Sequence, residues 1–172
     1  MDALQRIKTA FERQTRAVSL RPGIGKGTAI TKVTTNGGLA CQVTCGSWQL
    51  TTDLNEKWGG EEAGPTPGTL GRAAFGGCLA MGYLLWAARL DVPISNVQVE
   101  VRANYDTRGI CDLDDVPAVY TKITYLISLE TTEPEETIIR LLDKAEAHST
   151  YFQIFNRSMD LERILDIKSA EA

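Results

Sequence analysis

Residues 69–90 read TLGRAAFGGCLAMGYLLWAARL, and this stretch decides what kind of fold the chain adopts. Leu70, Ala74, Cys78, Met81, Leu85 and Ala88 recur at steps of three and four, the spacing of a helix, and the positions between them are mostly small or apolar. A helix that is apolar on nearly every face belongs at the centre of a domain. Residues 73–88 carry no charge but fall short of the roughly 20 that a bilayer crossing needs, so they predict a buried helix rather than an anchor. Gly76 and Gly77 each cost roughly 1 kcal/mol relative to Ala in a helix, which implies that another backbone packs closely against them.

Upstream, residues 28–34 are rich in Thr, Ile and Val, Asn36-Gly37-Gly38 supplies turn residues, and residues 39–45 and 47–52 complete a predicted three-stranded meander. Gly59, Gly60, Gly64, Pro65, Pro67 and Gly68 mark a long loop before the central helix. Downstream, Val97, Val99, Val101 and Ala103 alternate with polar residues, as do Val119, Ile123, Tyr125, Ile127 and Leu129, which predicts two half-buried antiparallel strands. Thr132 and Glu135 suggest a capping box, and Ile138, Leu142, Ala145 and Ser149 form the inward stripe of a second helix. Residues 160–167 are left as a closing strand or a helix. The order β-β-β-α-β-β-α-β predicts an α+β fold, with two helices on curved antiparallel sheet.

Leu4, Ile7 and Phe11 lie at helical spacing among charges, so residues 1–25 read as an amphipathic helix and linker ahead of a single domain at 26–172. The first twenty residues lack the apolar core and cleavage site of a secretory signal, and the protein is expected in the cytoplasm, with no membrane partner. With 172 residues, 18 Lys+Arg against 22 Asp+Glu and a formal net charge of -4, the chain describes one ordinary globular domain with no electrostatic footprint for nucleic acid.

Several motifs lead nowhere. Gly25-Lys26-Gly27-Thr28 has the outline of a phosphate loop, but Gly27 stands where Ser or Thr must bind magnesium and Leu20 where the first Gly is needed. Cys41 and Cys45 lie about 13 Å apart along one strand face, beyond the reach of a shared ion, and are expected to be small buried hydrophobes. Cys111 sits beside Asp112, Asp114 and Asp115, whose negative field opposes a thiolate, so it is expected to be unreactive. With one histidine in the chain, neither a metal centre nor a catalytic triad has support, and no cofactor is expected.

What remains is Gly64-Pro-Thr-Pro67 leading into Gly76-Gly-Cys78, the strand ending in Asp106-Thr-Arg-Gly109, and a Pro-Glu-initiated helix ending in Ala145-Glu-Ala-His-Ser149. This order resembles the OsmC/Ohr family of thiol-dependent hydroperoxide reductases over about residues 26–167. The resemblance implies an intertwined homodimer, with central helices buried between sheets and two sites at the subunit interface. In the family's reductases a Cys on the first long helix attacks the peroxide, an Arg and a Glu hold and activate it, and a Cys on the next helix resolves the sulfenic acid.

Cys78 matches the first of these positions. Gly68 stands at the position of the Glu and Ser149 at that of the resolving Cys, so turnover would need an external thiol reductant. No Arg in the first hairpin matches the activating one; Lys32 lies nearest, without the planar two-donor fork. Ser149 is expected to face the central helix near Cys78, and His148 beside it is a candidate base, although neighbours on a helix point about 100° apart. Phe75, Met81, Trp48 and Trp58 are candidates to line an interfacial cavity for a small hydroperoxide or apolar ligand, with Arg108 as a cation that only tertiary or dimer structure could bring near. Two further readings stay open: the same dimer binding a small apolar or acyl ligand without chemistry, and a structural dimer whose N-terminal helix docks on another protein.

Overall fold

The computed structural model describes residues 3–167 and begins with the helix α1 (Ala3–Leu20). Strands β1 (Lys32–Thr35), β2 (Cys41–Cys45) and β3 (Trp48–Thr52) form the predicted antiparallel meander in that order. Residues 28–31 stay unpaired, because β1 meets β2 only from Lys32↔Thr44 to Thr35↔Cys41. A loop then leads to α2 (Pro67–Leu90), which Thr66 caps by accepting a hydrogen bond from the Thr69 amide. The loop is closed by Asp53, whose buried carboxylate accepts hydrogen bonds from the amides of Leu54 (2.7 Å), Glu61 (2.9 Å) and Ala63 (3.2 Å). Gly60 and Gly64 run so close to the Leu54 and Thr51 carbonyls that no side chain fits at either position.

Strands β4 (Ile94–Tyr105) and β5 (Tyr120–Thr131) pair as a long antiparallel ribbon, with the one-turn helix α3 (Thr107–Ile110) in the connection between them. The half-buried residues alternate along both strands, and Val99↔Ile127, Val101↔Tyr125 and Ala103↔Ile123 stack on the face that α2 covers. The helix α4 (Glu135–Ala147) packs beside α2 and is followed by a seven-residue helix, α5 (Thr150–Asn156). The core is the seam of Phe75, Leu79, Tyr83 and Trp86 on α2 with Ile138, Leu141 and Ala145 on α4. The expected α+β architecture of helices on antiparallel sheets is what the chain forms.

Several expectations are corrected. The face that α2 turns inward is Phe75, Gly76, Leu79, Tyr83 and Ala87, while Met81 is 63% exposed and Leu85 38%. An all-apolar helix carries no polar stripe to mark its outer side, so its rotation is set by the ribbon it meets. Gly76 is where that ribbon approaches: a Cβ there would lie 3.1 Å from Val101 Cγ2, whereas Gly77 faces open space. The capping box does not form; Pro134 occupies the cap of α4, and the Thr131 hydroxyl instead accepts from the Glu133 amide and donates to the Pro93 carbonyl. Cys41 is only half-buried and Cys45 exposed, since among the described residues no helix packs broadly on the meander. Residues 160–167 form neither strand nor helix.

The N-terminal helix docks in cis. Phe11 meets the Trp86 ring edge-on at 6.0 Å, Arg89 lies over both rings, and Lys8 pairs with Asp91, the left-handed residue that ends α2. Leu4, Ile7 and Phe11 of its apolar stripe are half-buried in this packing. Residues 1–2 and 168–172, at the ends of the two predicted segments, lie outside the described residues.

Candidate functional site

Cys78 sits in mid-α2, half-buried, with its Sγ 3.3 Å from the Oγ of Ser149. Ser149 does not reach it from the stripe of α4, as the periodicity predicts. That helix ends at Ala147, His148 turns the chain, and Ser149, extended and 5% exposed, caps α5 by accepting the Phe152 amide at 3.3 Å. With one lone pair engaged by that amide, the hydroxyl proton is free to point at the sulfur. The short Ser149-Thr-Tyr-Phe152 run is an N-cap followed by apolar residues, a signal in the sequence that the longer periodicity of α4 obscures.

His148 is held elsewhere. Its Nδ1 lies 2.8 Å from the Lys144 carbonyl and its ring packs on Trp86 at 4.7 Å between centroids. Trp86 is roughly 12 Å along the helix axis from Cys78, and no hydrogen bond among the described residues joins the imidazole to the thiol. Phe75 is buried, edge-on to Tyr125 at 5.7 Å and Phe155 at 5.1 Å, while Met81 and Trp48 are exposed. The structure thus does not bring Phe75 and Met81 to one surface. Arg108 grips Asp106 through Nε and Nη2 and reaches Asp114 at 3.2 Å, and Arg102 pairs with Glu100 at 2.6 Å; neither turns to Cys78. The Arg108 hydrogen bonds hold the Asp106 carboxyl below its ordinary range. Among the described residues no three His, Cys, Asp or Glu side chains converge to hold a metal.

A partly buried polar cluster that the periodicity does not reveal locks the same helix junction. Glu146 accepts the hydroxyl of Tyr83 on one carboxylate oxygen (2.9 Å) and that of Tyr125 on the other (3.1 Å), tying α4 to both α2 and β5. Burial, followed by the hydrogen bond to Glu146, raises Tyr83 far above the ordinary tyrosine value. Burial and the Glu146 charge push Tyr125 up to about 12. This clamp lies three residues before Ser149 and so fixes where the chain turns toward Cys78.

At the other end of α2 lies a cavity of about 870 Å³, walled by Leu54, Trp58, Ile110, Val119 and Ile123 among others, with Gly68 and Arg72 on its α2 side. Arg72 donates from Nη1 to the Tyr120 hydroxyl (3.0 Å) and from Nη2 to that of Thr69 (3.3 Å).

A three-stranded meander followed by a cysteine-bearing central helix packed on a long strand ribbon defines an OsmC-like α+β protein. The family model described as OsmC-like protein matches residues 59–163, and the chain belongs to that family. Among solved structures, an OsmC-like protein from Mycoplasma pneumoniae superposes with a TM-score of 0.66 at 14% identity, over 76% of this chain and 89% of that one. An organic hydroperoxide resistance protein OsmC from Legionella pneumophila gives 0.52 at 18% identity, over 74% and 88%. An OsmC-like hydroperoxide resistance protein from Jannaschia sp. gives 0.51 at 19%, over 80% and 90%. At these identities the likeness is one of fold. Comparison with curated proteins gives no match.

Proposed function

We propose that the protein is a homodimeric, single-cysteine reductase of organic hydroperoxides, acting through Cys78 and restored by an external cytoplasmic thiol. The observation that carries this reading is the 3.3 Å contact between Cys78 Sγ and Ser149 Oγ. It joins the two positions at which the family's reductases place their cysteine pair, with a hydroxyl replacing the second sulfur. The Cys78 thiolate attacks one peroxide oxygen; the S–O bond forms as the O–O bond breaks, and the departing alkoxide takes a proton to become the alcohol. A first external thiol condenses with the sulfenic acid, releasing water and leaving a mixed disulfide. A second displaces Cys78 as a thiol and departs as the external disulfide.

The dimer is supported by what one chain leaves uncovered. Among the described residues no other element packs broadly on the meander, so Val33, Trp48 and Leu50 are exposed on it, as are Met81 and Leu85 on α2. A three-stranded sheet needs an apolar face covered to be stable, and a second copy supplies that cover.

The test is intact-mass detection of a dimedone adduct after brief exposure of the reduced protein to an organic hydroperoxide, with Cys78→Ser as control. Rapid labelling that depends on Cys78 is expected. Labelling no greater than that of Cys41, Cys45 and Cys111 overturns the proposal. The 870 Å³ cavity then favours the second reading, a dimer that binds a small apolar or acyl ligand without turnover.

A further inference from the structure

We propose that the cavity at the N-terminal end of α2 binds a small organic acid with an apolar body, a medium-chain carboxylate, whose head is held by Arg72. The volume of about 870 Å³ lies within the roughly 300–1,000 Å³ range of pockets that take small ligands. Its walls present Leu54, Trp58, Ile110, Val119 and Ile123, and of these Ile110 and Val119 are 66% and 58% exposed, so much apolar surface stands open.

Into these walls the helix projects one cation without a counter-charge. Arg72 spends its two guanidinium hydrogen bonds on the neutral hydroxyls of Tyr120 and Thr69, and among the described residues it belongs to no ion pair. Five N–H donors are available to a guanidinium, so donors remain for an incoming group. Asp106, the carboxylate in the lining, is taken by Arg108, at 2.6 Å from Nη2.

The two features together select the ligand. A neutral apolar molecule covers the walls and leaves Arg72 unpaired; a small inorganic anion pairs Arg72 and leaves the walls wet. A carboxylate with a hydrocarbon body satisfies both, and its oxygens match the planar fork. The site is separate from the thiol: Arg72 precedes Cys78 by six positions, about 9 Å along the axis and roughly 240° around it. The assignment therefore does not rest on peroxide chemistry.

The experiment titrates the full-length protein with dodecanoate, below its micellar concentration, and with dodecanol and acetate as probes of the tail and the head alone. Heat release and the fluorescence of Trp58 in the cavity wall are followed. Dodecanoate is expected to bind about tenfold or more tighter than dodecanol, the gain of a charge-assisted pair, with acetate failing to bind. Arg72→Gln should abolish that difference while dodecanol binding persists, and Ala118→Trp, at a residue of the cavity lining, should fill the cavity and abolish both. Equal binding of dodecanoate and dodecanol by the wild-type protein overturns the proposal even if Arg72→Gln does not fold. So does absence of binding, which would mean that a second copy of the chain occupies the cavity, and so does dodecanoate binding that survives Ala118→Trp.

Discussion

Replacing Ser149 by cysteine puts a second sulfur where a hydroxyl oxygen now lies 3.3 Å from Cys78 Sγ. A disulfide needs about 2.05 Å between sulfurs, and the longer C–S bond of cysteine shortens the gap, so a shift of roughly 1 Å at the α2–α5 contact suffices. The bridge would close a loop spanning 71 positions. Constraining an unfolded loop of that length is worth about 4 kcal/mol at 25 °C. Against this, Ser149 is the cap of α5, and a thiol is a poor acceptor for the Phe152 amide, which costs about 1 kcal/mol. The net gain of about 3 kcal/mol corresponds to a rise in Tm of roughly 6–12 °C over the wild type for a chain of this size. The reduced variant should melt slightly below the wild type. Intact mass should show the loss of two hydrogens on oxidation, peptide mapping should find the 78–149 cross-link, and calorimetry of the oxidised variant against the wild type should give the shift. If the folded variant forms no such cross-link with diamide or a hydroperoxide, the adjacency of these two positions is wrong, and with it the basis of the proposed chemistry.

The Glu146 clamp predicts an alkaline limit to stability. Tyr83 and Tyr125 are raised in the folded protein, chiefly by burial, so the unfolded chain releases their protons first; stability is full below pH 10 and falls as pH rises through about 12. Denaturant unfolding at stepped pH checks this, and Tyr83→Phe with Tyr125→Phe should flatten the alkaline limb while lowering stability at neutral pH, because Glu146 then loses its donors. Asp53 predicts the acid limb. Burial alone would raise its carboxyl, but the Glu61, Ala63 and Leu54 amides outweigh that and hold it below the ordinary 3.8, so its contribution is present above that pH and lost below. Asp53→Asn should lower the thermal midpoint at pH 7 and remove part of its fall below pH 4; an unchanged acid limb would contradict the role of the three amides.

Local pattern carries far in this chain. The alternation of Val97, Val99 and Val101, and of Ile123, Tyr125 and Ile127, marked both the ribbon and its covered face, because strand side chains alternate strictly and the polar half identifies the outside. The meander was legible from Asn36-Gly37-Gly38 and its flanking strands, and the central helix from its spacing. The partnership of Cys78 and Ser149 was also legible, though by the wrong local route, since residues 148–150 break the helix that the stripe continues.

By itself, then, the sequence determined the types and order of the main elements from the meander through α4 and the resemblance that the family match bears out, since those depend on residues near one another along the chain. Only the tertiary structure decided which side of α2 faces inward, because a helix apolar all round has no rotation preferred by solvent. It also decided that Glu146 gathers Tyr83 and Tyr125, that His148 rests on Trp86 instead of on the thiol, and that Arg72 is left with neutral partners at the wall of a cavity. Each of these depends on the juxtaposition of groups from separate elements, where burial, charge and hydrogen-bond geometry are fixed by packing and not by spacing.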